Sequence, residues 1–251
     1  MTDAELAAKL AKDAGALLLE LRQESPLTGK QLGDAGDKAA NEMLVAALRT
    51  LRPDDGLLSE ECKDTLERLN SDRVWIIDPV DGTREYSEGR DDWAVHVALS
   101  VNGKAAAGAV ALPALGLTLR SDLPITLPAH ASKPRMVVSR SRPPSEALAI
   151  AEILDADLIP MGSAGAKAMA VVRGEADIYL HSGGQYEWDN CAPVAVAQAH
   201  GLHCSRMDGS ALIYNQKDTY LPDLLICHAQ DADRVLKLVN GLATPLEQGN
   251  R

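Results

Sequence analysis

The stretch Val74-Trp75-Ile76-Ile77-Asp78-Pro79-Val80-Asp81-Gly82-Thr83 sets an apolar run directly against two carboxylates. Four apolar residues in succession, three of them β-branched, predict a strand buried on both faces. Pro79 stiffens the following turn, so that Asp78 and Asp81 point to one side and the Val80 carbonyl is free as a ligand. Gly82 allows close approach of backbone to a ligand. Thr83 opens a short helix, whose free N–H groups form a seat for phosphate. Upstream, Gly56–Ser59 reads as another short strand, and it ends in Glu60 and Glu61. Downstream, Asp189 opens a helix after the loop Gly183-Gly184-Gln185-Tyr186.

Each acid alone has a plainer explanation: a turn for Asp-Gly, a solvated strand end for Glu60-Glu61, a helix N-cap for Asp189. Three acidic ends in one chain point elsewhere, because strand ends of layered α/β proteins are where ligands bind. Converging carboxylates raise one another's pKa, and a divalent cation removes the repulsion. Oxygen donors without imidazole or thiolate select Mg²⁺ over Zn²⁺. Metal beside a phosphate seat suggests metal-assisted hydrolysis of a phosphate ester.

Away from this centre, leucines at helical spacing predict a helix over Ala4–Arg22, and Met43, Leu44, Ala47, Leu48 and Leu51 another from about Asp37 to Leu51. Trp93–Val101 and Ala106–Leu112 flank Asn102-Gly103 as a hairpin. Ser121–Pro134, rich in proline and small polar residues, is the expected joint between an α+β domain at 1–125 and an α/β domain at 126–251. Beyond it strands alternate with helices: Met136–Ser139, Ser145–Leu154, Leu158–Met161, Ala164–Arg173, Ala176–Leu180, Trp188–His200, Leu224–Cys227 and Asp233–Leu242.

Composition narrows the function classes. With 25 basic and 36 acidic residues the net charge is −11, against a general DNA- or RNA-binding surface. No apolar run reaches the roughly 18 residues of a membrane span. Met1-Thr2-Asp3-Ala4-Glu5 lacks the start of a secretion signal. Four scattered cysteines (Cys62, Cys191, Cys204, Cys227) suit free thiols in a reducing cytoplasm. Phe is absent, so the core must be aliphatic. His200-Gly201-Leu202-His203-Cys204 has no usual zinc spacing, and His96 and His181 read as core or loop histidines.

The run Trp75–Thr83 and the later Glu187-Trp188-Asp189-Asn190-Cys191-Ala192-Pro193 resemble the paired signatures of the inositol monophosphatase superfamily, and Leu58-Ser59-Glu60-Glu61 its strand with a metal-binding Glu. Thr83-Arg84-Glu85-Tyr86 and Ser139-Arg140-Ser141-Arg142 are similar to the CysQ branch, the 3′(2′),5′-bisphosphate nucleotidases, closest to the actinobacterial type. The resemblance implies an α/β sandwich of alternating α-β-α-β-α layers. It implies a first Mg²⁺ on Glu60, Asp78 and the Val80 carbonyl, a second on Asp78, Asp81 and Asp189, and Glu60 as ligand where a third binds. Asp37 and Thr83 become the dyad that takes a proton from the attacking water. The Gly82 and Thr83 amides hold the scissile phosphate, and Gly162-Ser163-Ala164 line the substrate pocket. Gly33-Asp34-Ala35-Gly36-Asp37 departs from the resembled pattern, with Asp34 at a usual threonine position in what reads as a loop.

The implied reaction is in-line displacement between two Mg²⁺ about 4 Å apart, removing the 3′-phosphate of 3′-phosphoadenosine 5′-phosphate, or of 3′-phosphoadenylyl sulfate, with sensitivity to Li⁺. Arg140 and Arg142 are candidates for the remaining phosphate, which guanidinium matches bidentately. Tyr86, Tyr186 and Trp188 are candidates for stacking on the adenine. Alternatives are an inositol monophosphatase or fructose 1,6-bisphosphatase, or a nucleotide sensor without catalysis. A small phosphorylated nucleotide is the expected partner, with no nucleic acid or membrane, and a homodimer is common in the resembled family.

Overall fold

The computed structural model describes residues 1–127 and 132–243. Part of the expected joint, residues 128–131, and the end of the expected second domain from 244 lie outside the described residues. Helix α1 (Asp3–Glu24) starts with a capping box in which Thr2 Oγ1 accepts from Glu5 N and Glu5 Oε2 accepts from Thr2 N. Leu6, Leu10, Ala14 and Leu18 are its buried stripe. Helix α2 (Gly29–Leu51) buries Leu32, Gly36, Ala40, Leu44 and Leu48, one residue per turn.

The start of α2 corrects the sequence expectation by eight residues. Gly33 and Gly36 are glycines for closeness, not for a turn. A Cβ on Gly33 would lie 2.8 Å from Thr83 Cγ2, and one on Gly36 2.8 Å from Tyr86 Cε1. Asp37 therefore rides on a rigid helix rather than on a loop.

Strands β1 (Gly56–Ser59) and β2 (Arg73–Asp81) pair in parallel. After the short helix α3 (Thr83–Ser87), β3 (Ala94–Val101), β4 (Lys104–Leu112) and β5 (Leu117–Arg120) extend the sheet antiparallel in the order β1-β2-β3-β4-β5. Strand β5 had no sequence signal: four half-exposed residues are too short for a pattern, and pairing with Ala109–Leu112 makes them a strand. One face of this sheet, with Trp75, Ile77, Val95, Val97, Leu99, Ala109 and Ala111, packs on α1 and α2.

The second sheet holds β6 (Arg135–Ser139), which is followed by α4 (Ser145–Leu154), β7 (Asp157–Met161), α5 (Ala164–Val172), β8 (Ile178–Ser182), α6 (Glu187–Ala199), β9 (Leu202–Ser205), β10 (Asp223–His228) and α7 (Ala232–Ala243). Its order is β7-β6-β8-β10-β9. Parallel pairing of β6 with β7 and β8 needs helical crossovers, which α4 and α5 supply. Met136, Val138, Ile178, Leu180, Leu225 and Cys227 face α4 and α7. Val137, Tyr179, Leu224 and Ile226 face the other way, into a core shared with α5, α6 and the second face of the first sheet (Val74, Ile76, Ala94, Ala98, Val110).

The result is five layers, α-β-α-β-α, held by three apolar clusters. Each wholly buried Leu, Ile or Val contributes roughly 1.5–3 kcal/mol, so the absence of Phe is no handicap. Among the described residues no helix is long and apolar enough to cross a membrane, and all four cysteines are free.

Candidate metal centre and active site

Strand β2 continues through Asp78 to Asp81, further than the apolar run predicted. Its register with β3 pairs Asp78 with His96 and Asp81 with Ala94, so three steps on β2 oppose two on β3. The extra residue is a bulge at the imide Pro79, which has no N–H to lend to the ladder. Alternation already points Asp78, like Val74 and Ile76, toward the layer of α5 and α6, and the bulge brings Asp81 to that same face. Asp78 Oδ1 accepts from Val80 N at 3.1 Å, fixing its rotamer. Gly82 then takes φ +87°, and a Cβ there would meet Ser163 Cβ at 2.9 Å.

One carboxylate oxygen from each of Asp78, Asp81 and Asp189 lies within 4.8 Å of the others. Asp189 reaches in from the first turn of α6, where its Oδ2 accepts from Tyr186 N at 2.7 Å. Glu60, just beyond β1, lies outside this three-oxygen group but near enough that its charge disfavours that of Asp78. Asp81 is held from three sides: Ala164 N and Gly165 N donate to it at 3.1 and 2.6 Å, and His96 Nε2 stands 3.1 Å from Oδ2. Beside this cluster the Thr83 hydroxyl faces Asp37 Oδ1 at 3.3 Å and the Val80 carbonyl at 3.1 Å.

The electrostatics follow from crowding. Asp37, Glu60 and Asp189 are each pushed up to about 7, by burial first and then by neighbouring carboxylates. Asp78 is raised well above the ordinary carboxylate range for the same reasons. Asp81 goes the other way: burial opposes its charge, but His96, the Gly165 amide and Lys167 outweigh it and lower its pKa. Oxygen donors that cannot all ionise together are a fitting seat for hard dications.

A stability consequence follows. Without metal, Asp37, Glu60, Asp189 and Glu187 keep protons to about pH 7 in the folded state, whereas the unfolded chain releases them near about pH 4. The folded state binds more protons across that window, so stability falls as pH rises through it. His181, pushed down to about 4 mainly by burial, and His203, also lowered by burial, work in the opposite sense below the ordinary 6.5, against the four acids together with Asp78 and His96, which are raised. Between pH 5.5 and 8 the Tm of chelator-treated protein is expected to drop by about 5 °C or more, and Mg²⁺ to remove most of the drop. A Tm that climbs over this range without metal would contradict the crowding.

A cavity of about 740 Å³ opens beside the acids, lined among others by Asp81, Glu85, Arg142, Ser163, Lys167 and Asp189. Gly162, Ser163 and Ala164 border it. Ser163 caps α5 by accepting from Ala166 N at 2.8 Å. Arg140 stands differently from its expectation. Its guanidinium is held by Glu85 at 2.6 Å and Glu88 at 2.7 Å, and Arg84 and Arg142 are the arginines that line the cavity. Tyr86 is no stacking candidate either: it is wholly buried, with its hydroxyl on the Leu18 carbonyl. Tyr186 and Trp188 stack on each other at 4.9 Å.

Two buried residues had no role in the sequence expectations. Lys167 lies within α5 with Nζ on the Gly162 and Ser163 carbonyls, and burial lowers its pKa to about 8. A single cation inside the run Ala164–Val172 was the available signal, since lysine is almost never buried without a purpose. His96 is the other; its partners are separated from it by 15 and 92 residues, so no local pattern reports it.

Residues 2–242 match the inositol monophosphatase family. The 3′-phosphoadenosine 5′-phosphate phosphatase of Mycobacterium bovis is 54% identical over 238 residues, covering 89% of this chain and 88% of its own. That of Mycobacterium leprae is 50% identical over 254 residues, covering 95% and 94%. Among solved structures, CysQ from Bacteroides thetaiotaomicron, described as a bacterial member of the inositol monophosphatase family, superposes with a TM-score of 0.75 at 26% identity, covering 90% of this chain and 96% of its own.

Proposed function

The chain belongs to the inositol monophosphatase family, and from that membership we propose a Mg²⁺-dependent phosphatase that converts 3′-phosphoadenosine 5′-phosphate to AMP, clearing a by-product of sulfate activation. The same phosphomonoester in 3′-phosphoadenylyl sulfate is a further substrate. The observation that carries this reading is the meeting of Asp78, Asp81 and Asp189 beside a hydroxyl–carboxylate pair, at a cavity with three cationic side chains. Arg84, Arg142 and Lys167 suit a substrate that keeps a second phosphate after the first is cut, which an inositol monophosphate lacks.

In this reading Glu60, Asp78, the Val80 carbonyl, Asp81 and Asp189 hold two Mg²⁺, with Glu60 free to serve a third. Bound Mg²⁺ polarises the phosphate and lowers the pKa of water. Thr83 directs its hydrogen to Asp37, which turns an oxygen lone pair toward the attacking water. As the water gives up its proton to Thr83 Oγ1, the threonine proton passes to Asp37, whose raised pKa suits a base working near neutrality. The Gly82 and Thr83 amides face the phosphate oxygens, and the turn Gly162-Ser163-Ala164 borders the nucleoside. Residues 1–125 supply all of this machinery except Asp189 and the cavity wall, which come from 126–251. The free cysteines suit a cytoplasmic setting, and a homodimer is the assembly proposed.

Phosphate release with Mg²⁺ on four esters tests the proposal: 3′-phosphoadenosine 5′-phosphate, 3′-phosphoadenylyl sulfate, inositol 1-phosphate and fructose 1,6-bisphosphate. The bisphosphate nucleotide is expected to lead the inositol and sugar esters by at least about tenfold in kcat/KM. Equal or better turnover of either of those esters would overturn the substrate assignment. Nucleotide binding with no release would favour a sensor.

A further inference from the structure

Strand β3 buries Val95, Val97 and Leu99 against α1 and α2, and turns Ala94, His96 and Ala98 toward α5 and α6. The two alanines make that inner face small and apolar. His96 between them is wholly buried. An imidazole in such a place costs free energy unless its nitrogens are bonded, and Leu or Val would fill the space without that cost.

Nδ1 is hydrogen-bonded and Nε2 stands against a carboxylate, and the two neighbours belong to different elements. Nδ1 lies 3.0 Å from the carbonyl of Trp188, in the first turn of α6 and next to Asp189. A carbonyl only accepts, so Nδ1 carries the hydrogen. Nε2 lies 3.1 Å from Asp81 Oδ2, at the end of β2, a close contact without hydrogen-bond alignment. The ring thus spans from one proposed metal ligand to the residue beside another. Room for it is kept by Gly165 in the first turn of α5, where a Cβ would fall 2.1 Å from Nε2.

We propose that His96 is a positioning residue of the metal centre, a strut whose two ring nitrogens fix the separation between Asp81 on β2 and the turn of α6 that carries Asp189. This rests on the metal-binding reading given above. Asp81 and Asp189 come from different halves of the chain, and their carboxylates repel when the cation is absent. Something must hold β2 and α6 at the spacing a dication needs, and the buried ring touches both. Groups that orient ligands from behind set metal affinity even though they never touch the ion.

The test is calorimetric titration of the metal-stripped protein with Mg²⁺ alone, on the wild type, His96→Leu and His96→Gln, alongside the Tm of each stripped protein. In His96→Leu the Mg²⁺ Kd is expected to rise about 10–100-fold. In His96→Gln, whose amide reaches one of the two oxygens, the rise is smaller but still about threefold or more. A residue that merely fills the core would lower the Tm and leave the Kd alone. A folded His96→Leu protein whose Kd changes by less than about threefold overturns the inference, and if that variant does not fold, the same threshold applied to His96→Gln decides it. A wild type that takes up no Mg²⁺ removes the metal reading itself, and this inference with it; Mg²⁺ uptake by the wild type that the variants match removes the strut alone.

Discussion

Asp189→Asn is expected to cost about 10³-fold or more in Mg²⁺-dependent phosphate release, roughly 4 kcal/mol of transition-state stabilisation, while raising the Tm of the metal-free protein at pH 8. The two halves of this result have one cause. Burial, then the charges of Asp81 and Glu60, push the Asp189 carboxyl up to about 7, so at pH 8 the folded protein holds a charge it disfavours. The amide of Asn keeps an oxygen for the Tyr186 N–H and drops that charge, leaving the turn intact and the repulsion relieved. Asp81→Asn should lose as much activity but go the other way in stability. Two amides of α5 donate to the Asp81 charge and His96 stands against it, and hydrogen bonds to a charged group, here those of the two amides, are worth about 1.5–3 kcal/mol each. A neutral Asn returns less to those donors, and its NH₂ opposes one of them. With about 2–4 °C of Tm per kcal/mol for a chain of this size, opposite shifts in the two variants are well within measurement. Phosphate release that survives in either variant would take away the metal assignment; Tm values that move together would take away this account of the charges.

What could be read from the sequence was what is local. Trp75 to Thr83 gives a buried strand, its terminal acids, a glycine and a helix start within ten residues, and each has its own composition signal. Asp189 follows a glycine-rich loop, and α4 begins and ends where its pattern says, at Ser145 and Leu154. The failures are equally physical. Gly33 and Gly36 look like loop formers, yet they are glycines because α2 must lie close to Thr83 and Tyr86. That requirement exists only once α3 is in place. Arg140 and Arg142 are equivalent on paper, and Glu85 and Glu88 on another element decide which of them is occupied. His96 reads as one more residue of a core strand, because its role depends on α6, almost a hundred residues away. The bulge at Pro79 joins the two kinds of information. The imide is visible in the sequence, but its effect, bringing Asp81 to the face that Asp78 already shares, depends on the register with β3.

Thr83→Ala should lower kcat by about 10²–10⁴-fold while KM moves by less than about threefold, because an interaction made only in the transition state leaves ground-state binding unchanged. The hydroxyl is 3.3 Å from Asp37 and 3.1 Å from the Val80 carbonyl. Alanine leaves the short helix α3 and its N-terminal amides in place, so the seat for phosphate survives and only the route for the proton is lost. Thr83→Ser keeps the hydroxyl and should restore most of the rate; failure to do so would point to the lost Cγ2 packing against Gly33 instead. Asp37→Asn closes the cycle. Its oxygen still accepts from Thr83 but cannot take a proton, so the double variant should be little slower than the slower single one, as residues acting as a unit require. The pH profile gives an independent reading. Asp37 must be ionised to act, so kcat falls as pH drops through its pKa. That pKa is about 7 in the metal-free protein and is expected to sit lower with cations bound, since an opposite charge nearby favours the ionised carboxyl. In Asp37→Asn this acid limb should vanish. A Thr83→Ala loss confined to KM, or an acid limb unchanged in Asp37→Asn, would assign the proton to some other group, and the rigid α2 would then hold Asp37 for packing alone.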